Sequence, residues 1–133
     1  MQDRGARLGK ILLVEDEPNI IEALRFLLSR EGWSVLVHSN GADAVARVER
    51  EDPDLVILDV MLPNRSGYDI LSELRQRPDA RDLPILMLTA RGQAKDRERA
   101  LGAGADAFMT KPFSNDEILA TVSQLSATQA RSA

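Results

Sequence analysis

Five polar side chains that could take part in ion or phosphate chemistry follow short apolar runs in this 133-residue chain. Glu15 and Asp16 follow the first run, and Asp59, Thr89 and Lys111 each follow a later one. If the ends of these runs meet, the carboxylates repel one another, because two like charges ~4 Å apart cost about 4 kcal/mol at an effective dielectric constant of about 20. Such a cluster requires a cation, which is either Lys111 or a hard divalent ion. Mg²⁺ fits best, because it binds through one or two carboxylates and keeps waters that a phosphate can replace.

Short continuous apolar runs are typical of strands that are buried on both faces of a sheet. Five such runs alternate with five stretches of helical periodicity. The predicted strands lie at 10–14, 35–37, 55–58, 85–88 and 107–110. The alternation predicts an α/β fold with helices on both faces of a parallel sheet and right-handed crossovers, but leaves the strand order open. Ligands collect at the carboxyl edge of such a sheet, where the reactive side chains are predicted to lie.

Some parts of the chain are expected to be weakly held. The fourth predicted helix, at about 93–101, is so rich in charge that only Ala94, Ala100 and Leu101 remain to bury, and we expect it to be the most mobile helix. Both ends of the chain are polar or small in composition and are expected to fray. The expected organisation is a disordered tail at 1–9, one folded domain at 10–126 and a frayed tail at 127–133.

The overall composition is that of an ordinary globular domain. Seventeen basic against twenty-one acidic residues give a net charge of −4, which disfavours nucleic acid as the main partner. The absence of cysteine excludes disulfides, thiolate metal sites and a cysteine nucleophile, and suits a reducing compartment. No signal-peptide core and no apolar stretch near the ~18 residues of a membrane span can be found. We therefore expect a cytoplasmic location and no membrane partner.

Four segments, in order, resemble the signature of response-regulator receiver domains of two-component signalling. They are Val14-Glu15-Asp16-Glu17, Leu58-Asp59-Val60-Met61-Leu62-Pro63, Leu88-Thr89-Ala90 and Thr110-Lys111-Pro112-Phe113. The similarity covers about residues 10–125, nearly the whole chain. It implies a flavodoxin-like, doubly wound (βα)5 fold with a five-stranded parallel sheet in the order 2-1-3-4-5.

The resemblance also implies a set of roles at the site. Asp59 would be the phosphoacceptor, attacking the phosphorus of a phosphohistidine on a sensor histidine kinase or a histidine phosphotransfer protein. Asp16, Asp59 and the main-chain carbonyl of Met61 would hold Mg²⁺, with Glu15 acting directly or through water. Lys111 would pair with the phosphoryl group.

A switch is implied by the same resemblance. Thr89 would donate its hydroxyl to the phosphoryl group, and Phe108 matches the aromatic position on the fifth strand that changes rotamer on activation. The bond between Lys111 and Pro112 is expected to be cis, as in similar proteins. Phosphorylation adds strong acceptors that can draw Thr89 inward, and would shift the surface formed by the fourth helix, fifth strand and fifth helix towards a downstream protein target.

The prediction is a phosphorelay signalling switch that catalyses its own phosphorylation and dephosphorylation, rather than an enzyme. Asp116 and Thr121 stand on the fifth helix, where DNA-binding relatives carry basic residues, so a monomer or a weak phosphorylation-dependent dimer is expected. Met61 and Arg91 are predicted to shield the phosphoryl group from water. One alternative is a receiver-like module that works without phosphate. The other is an aspartyl-nucleophile phosphatase, which typically needs a second aspartate where Met61 stands.

Overall fold

In the part of the chain that the structure describes, five parallel strands alternate with five helices. The computed structural model describes residues 8–90 and 92–132, with side chains as far as residue 127. The strands are β1 (Gly9–Val14), β2 (Trp33–His38), β3 (Leu55–Asp59), β4 (Ile85–Thr89) and β5 (Ala107–Thr110). The helices are α1 (Pro18–Arg30), α2 (Ala44–Glu51), α3 (Gly67–Gln76), α4 (Ala94–Gly102) and α5 (Asn115–Ser132). This alternation confirms the predicted α/β class.

The strand order is β2-β1-β3-β4-β5, and every neighbouring pair is parallel. This is the flavodoxin-like order that the resemblance implied. The register pairs Asp59 with Leu88 and Thr89 with Thr110. The ends of β1, β3, β4 and β5 therefore share one edge of the sheet. The chain passes from β1 to β2 on one side of the sheet and from β3 to β4 on the other, so the connections diverge between β1 and β3. In open α/β sheets, ligands bind at such a topological switch point.

Helices cover both faces of the sheet, which explains why its strands are continuously apolar. Leu13 and Ile57 contribute to the core beneath α1 and α5, whereas Leu12 and Leu58 contribute to the core on the opposite face. Neighbours in one strand serve opposite faces because successive side chains point to opposite sides. Every residue of β3 and β4 is buried. Each buried aliphatic side chain contributes roughly 1.5–3 kcal/mol, so these strands form a rigid support for the residues at their ends.

Both ends of the folded region extend further than the sequence predicts. Gly9 pairs with Trp33 in the sheet, and the Leu8 N–H donates to the Gly32 carbonyl at 2.9 Å, so the first strand begins inside the expected tail. Residues 1–7 lie outside the described residues. At the other end, α5 continues to Ser132 rather than ending near 126. No glycine or proline interrupts its last turns, so nothing there opposes a helix.

Helix α4 has even less buried surface than the sequence predicts. Of its three expected core residues only Ala100 is buried, whereas Ala94 is exposed and Leu101 is 40% exposed. The ring of Tyr68, near the start of α3, supplies a different anchor. The Arg99 guanidinium lies 3.9 Å from the centre of that ring, and the Tyr68 hydroxyl donates to a main-chain carbonyl of α4 at 3.4 Å. Helix α4 therefore depends on a polar and aromatic attachment to α3, and its mobility remains a prediction.

One arginine fixes the segments that lead into β4 and β5. The Arg75 side chain, near the end of α3, is only 15% exposed. It donates to the carbonyls of Ala80, Arg81, Leu83 and Gly104. It also forms an ion pair with Asp106 at 2.8 Å, and the same Asp106 oxygen accepts the Ile85 N–H. The two strands that end in Thr89 and Thr110 are thus tied together at their starts.

We expect the substitution Arg75→Met to lower the free energy of unfolding by about 2–3 kcal/mol, because four carbonyls, three of them partly buried, and Asp106 lose their donor while the apolar stem is largely kept. Urea unfolding followed by circular dichroism measures the change. Arg25→Met, at an exposed position of α1, is the matched control and should stay within about 0.5 kcal/mol of the unsubstituted protein. Equal losses in the two variants would contradict the role assigned to Arg75.

Candidate functional site

The predicted site residues lie at the carboxyl edge of the sheet, as their positions after apolar runs indicated. Glu15 follows β1, Asp59 ends β3, Thr89 ends β4 and Lys111 follows β5. Three of them are buried, with exposures of 0% for Glu15, 2% for Asp59 and 2% for Thr89. Buried polar groups require partners, so their burial indicates a built site rather than a solvated edge.

The Lys111 ammonium group joins the acidic side chains of this edge. Its Nζ lies 3.1 Å from Glu15 Oε1, 3.4 Å from Asp59 Oδ2 and 2.6 Å from Glu17 Oε1. The lysine is held from its backbone as well, because its N–H donates to the Thr89 carbonyl at 2.7 Å. The ends of β1, β3 and β5 therefore meet, which is the convergence on which the predicted site depended. The peptide bond between Lys111 and Pro112 is cis, as expected.

The backbone after β3 sets the position of Asp59. The Met61 N–H donates to Asp59 Oδ1 at 3.3 Å, and the Val60 N–H donates to the Leu88 carbonyl at 2.9 Å. Gly67 then packs directly on this turn, since a Cβ at that position would lie 2.2 Å from the Asp59 carbonyl oxygen. Glycine is required by this close approach. The position of Gly67 in the sequence gives no sign of this contact.

Glu15 is held in an unusual state for a glutamate. One carboxylate oxygen, Oε2, accepts the N–H groups of Asp16 and Glu17, each at 3.2 Å. The other, Oε1, is buried and accepts no hydrogen bond. Burial, together with the nearby charge of Asp59, raises the pKa of Glu15 to about 7, against the lowering effect of the Glu17 N–H and of Lys111.

Burial by itself would lower the pKa of Lys111, but its three acidic neighbours outweigh that effect. The hydrogen bond to Glu17 and the charges of Asp59 and Glu15 raise its pKa above the usual lysine value. Lys111 therefore stays protonated at neutral pH. The site keeps a permanent positive charge beside Asp59.

Three carboxylates of this edge are grouped closely enough to bind a metal ion. Oxygens of Glu15, Glu17 and Asp59 lie within 4.8 Å of one another. Hard cations such as Mg²⁺ prefer carboxylate oxygens, and Oε1 of Glu15 already faces a cation, the Lys111 ammonium at 3.1 Å, so the residues present fit such an ion. Asp16, a predicted ligand, is exposed and does not belong to this group.

Glu17 belongs to the first of the four matched segments, but no role in the site was predicted for it. It does stand at the N-cap of α1, but its side chain makes no cap hydrogen bond and contacts Lys111 instead. Its backbone is extended, with φ −82° and ψ 116°. In extended backbone, residues two apart point to the same side. That spacing from Glu15 was the signal available in the sequence.

The remaining predicted residues have distinct surroundings. Thr89 is buried at the end of β4, and Phe108 is 9% exposed on β5, opposite Met87. Because side chains alternate along a strand, Thr89 points to the same side of β4 as Met87 and lies diagonally across from Phe108. Met61 is 64% exposed, two residues after Asp59, and Arg91 lies outside the described residues.

Comparison with known proteins identifies the family. Residues 11–123 match the family described as the response regulator receiver domain. The chain belongs to this family. A receiver domain takes the phosphoacceptor role in two-component signalling, which confirms the function that the resemblance implied.

Curated relatives share this domain as part of longer proteins. The chain is 47% identical over 115 residues to the phosphate regulon transcriptional regulatory protein PhoB of Rhizobium meliloti, covering 86% of the chain and 51% of that protein. It is 45% identical over 113 residues to the alkaline phosphatase synthesis transcriptional regulatory protein PhoP of Bacillus subtilis, covering 85% of the chain and 46% of that protein. The chain thus spans about half the length of these relatives.

A solved receiver domain supports the same assignment. The receiver domain of a sensor histidine kinase from Pseudomonas aeruginosa PAO1 superposes with a TM-score of 0.82 and 33% identity, covering 90% of this chain and 98% of that one. That structure contains a magnesium ion coordinated in the active-site cleft. Among the described residues of the present receiver domain, no helix combines the length and apolar character needed to cross a membrane.

We expect Mg²⁺ to bind this receiver domain more tightly as the pH rises. Glu15 has a pKa of about 7 and must lose its proton to act as an anionic ligand, so a proton competes with the metal below that value. The dissociation constant should fall by roughly tenfold per pH unit below about pH 7 and level off above it. Calorimetric titration with MgCl₂ across this range measures the effect.

The variant Glu15→Gln is the control for this pH dependence. It cannot titrate, so its weaker Mg²⁺ affinity should show little change with pH. If the unsubstituted protein binds Mg²⁺ with the same affinity about one pH unit below and above pH 7, the role of Glu15 is contradicted.

Proposed function

We propose that Asp59 of this receiver domain accepts a phosphoryl group from a phosphohistidine on a sensor histidine kinase or a histidine phosphotransfer protein. An oxygen of the Asp59 carboxylate attacks phosphorus, the phosphorus–nitrogen bond breaks, and the imidazole nitrogen leaves with the bonding pair. The observation that carries the proposal is the environment of this carboxylate. Asp59 is buried, with Lys111 Nζ at 3.4 Å on one oxygen and the Met61 N–H at 3.3 Å on the other.

Mg²⁺ is the cofactor that we propose for this transfer. Its ligands would be Asp16, Asp59 and the main-chain carbonyl of Met61, with Glu15 bound directly or through water. The grouped oxygens of Glu15, Glu17 and Asp59 support a cation at this position. Asp16 is supported by its place next to Glu15 and its exposure to solvent. When bound, Mg²⁺ supplies neutralisation of the negative charge on the phosphoryl oxygens.

The protein groups around Asp59 suit phosphoryl transfer. The transition state is loose, so positioning and charge neutralisation supply most of the catalysis. Lys111 brings a permanent positive charge to the acceptor, and its backbone bond to Thr89 fixes the two residues relative to each other. We propose that the Thr89 hydroxyl donates to a phosphoryl oxygen once the group is attached.

The same contact would switch the domain between two packings. A phosphoryl group adds strong acceptors that draw Thr89 towards Asp59 and leave space for Phe108, which lies diagonally across on β5. Helix α4 is the neighbour that would respond, because it buries only Ala100. The result is a shift in populations on the surface formed by α4, β5 and α5.

Protein contact is the output that we propose for this surface. The relatives PhoB and PhoP are named as transcriptional regulators, but the chain covers only about half of each. For the receiver domain itself we propose a downstream protein target, no direct contact with nucleic acid, and a monomer or a weak dimer that forms on phosphorylation. We propose that this reaction takes place in the cytoplasm.

Labelling with a small phosphodonor tests the proposal. We expect the unsubstituted protein to take up stable, acid-labile phosphate from radiolabelled acetyl phosphate in the presence of Mg²⁺, and Asp59→Asn to take up none, because the amide is a poor nucleophile. Asp54→Asn, at an exposed aspartate before β3, is the matched control and should label normally. Sustained turnover without stable label would instead indicate a phosphatase, and no uptake would indicate a phosphate-independent module.

The lifetime of the phosphoryl group gives a separate prediction. Met61 is exposed beside the acceptor and is proposed to shield the phosphoryl group from water. We expect phosphorylated Met61→Asn to lose its label several-fold faster than the unsubstituted protein, whereas Met61→Leu, which keeps an apolar side chain of similar volume, should resemble it. Loss of label can be followed after removal of the donor. Equal rates in all three proteins would reject the shielding role.

A further inference from the structure

The shortest contact of Lys111 is not with the acceptor. Its Nζ lies 2.6 Å from Glu17 Oε1, compared with 3.1 Å from Glu15 Oε1 and 3.4 Å from Asp59 Oδ2. Glu15 and Asp59 are buried, whereas the Glu17 side chain is 58% exposed. The lysine is thus held between two fixed carboxylates inside the domain and one movable carboxylate at its surface.

We propose that Glu17 is a positioning residue, which holds Lys111 on the solvent side of the site before phosphorylation and releases it when the phosphoryl group arrives. This inference rests on the proposed function, because it concerns the lysine that would neutralise that group. Glu17 acts through Lys111 and has no contact of its own with the acceptor among those described.

The geometry allows such an exchange. An ammonium group has three donors, so Lys111 can face Glu15, Glu17 and Asp59 together. The bond between Lys111 N and the Thr89 carbonyl fixes the start of the lysine side chain, which leaves its long stem to carry the movement. Glu17 precedes Pro18, the first residue of α1, so its own backbone is fixed while its exposed side chain can turn towards water.

The exchange has a direction set by charge. A phosphoryl group on Asp59 brings about −1.5 to −2 charges and three strong acceptor oxygens, which attract Lys111 more strongly than an exposed glutamate does. The contact with Glu17 is therefore present before transfer and weakened in the transition state. An interaction of that kind slows the chemical step, so removing it should accelerate transfer.

Removal of the Glu17 carboxylate should also change the affinity of the domain for Mg²⁺. Without this counter-ion, Lys111 relies on Glu15 and Asp59, and the ammonium then competes with a cation for the same oxygens. We expect weaker Mg²⁺ binding together with faster transfer at saturating Mg²⁺. Because Glu17 is more than half exposed, each effect should be modest, with an upper limit of about fivefold.

Two substitutions separate the contact from the charge. Glu17→Gln removes the charge, whereas Glu17→Asp keeps it on a side chain one methylene shorter, which withdraws the carboxylate from Lys111. Glu22→Gln, at an exposed position of α1, removes an equal charge away from the site and serves as the control. The measurements are Mg²⁺ affinity by calorimetry, the rate of labelling from acetyl phosphate at saturating Mg²⁺, and the NMR signal of the Lys111 ε-methylene group.

The expected result is that Glu17→Gln and Glu17→Asp both label faster and bind Mg²⁺ more weakly, while Glu22→Gln matches the unsubstituted protein. The Lys111 signal should move, before any donor is added, towards its position in the protein treated with beryllofluoride, a phosphoryl mimic. An aspartate variant that behaves like the unsubstituted protein, or a Lys111 signal that does not move, would overturn the inference. If both Glu17 variants are labelled on Asp59 at an unchanged rate, only the inference about Glu17 is overturned. If the unsubstituted protein takes up no label, the proposed function is overturned as well.

Discussion

The carboxylates of Glu15 and Asp59 lie buried at the ends of adjacent strands, with the ammonium of Lys111 between them. Two like charges taken out of water repel each other, and each loses several kcal/mol of hydration. Such a pair is stable only where the backbone fixes both side chains in place and a counter-ion is held nearby. The pKa of Glu15 is raised by this burial and by the repulsion from Asp59. Most other features of the domain either hold these groups together or respond to their charge.

The sheet provides the rigidity that this arrangement needs. Every residue of β3 is buried, and the strand register fixes where its last residue, Asp59, stands relative to its neighbours. Arg75 ties together the segments that lead into β4 and β5 at the opposite end of the sheet. Rigid elements position reactive groups more accurately than loops do. By contrast, α4 has one buried residue and is attached to α3 through Tyr68.

Most of the fold and the core of the site could be predicted from the sequence, for one physical reason. Parallel strands buried on both faces read as continuous apolar runs, and their carboxyl ends must share an edge. The apolar runs therefore predict that Glu15, Asp59, Thr89 and Lys111 lie at the carboxyl edge of the sheet, where the structure has them. The role of Glu17 was missed because helix starts commonly carry an acidic residue, and only the extended backbone before Pro18 turns its side chain towards Lys111.

Other differences came from contacts that periodicity does not describe. The helical pattern of α4 suggested that Leu101 would be buried, but the ring of Tyr68 and the Arg99 guanidinium form the attachment to α3, and Leu101 remains exposed. The requirement for Gly67 arises from its approach to the Asp59 carbonyl, a contact between segments that are not adjacent in the pattern. Side-chain stacking and close backbone approach depend on three-dimensional neighbours, so composition and spacing alone cannot reveal them.

Exposure to solvent increases outward from Asp59, so the site has a buried part and an exposed part. Asp59 is 2% exposed, the Lys111 side chain 10%, the Glu17 side chain 58% and Met61 64%. A donor and a hydrolytic water must both approach from the exposed side, because the sheet closes the other. Under the proposed function, the buried groups would decide whether Asp59 can carry a phosphoryl group, since their charges must balance in the absence of water. The exposed groups would control how readily Lys111 is released and how easily water arrives, so a change at Glu17 or Met61 would alter the timing of the signal while Asp59 still accepts the phosphoryl group.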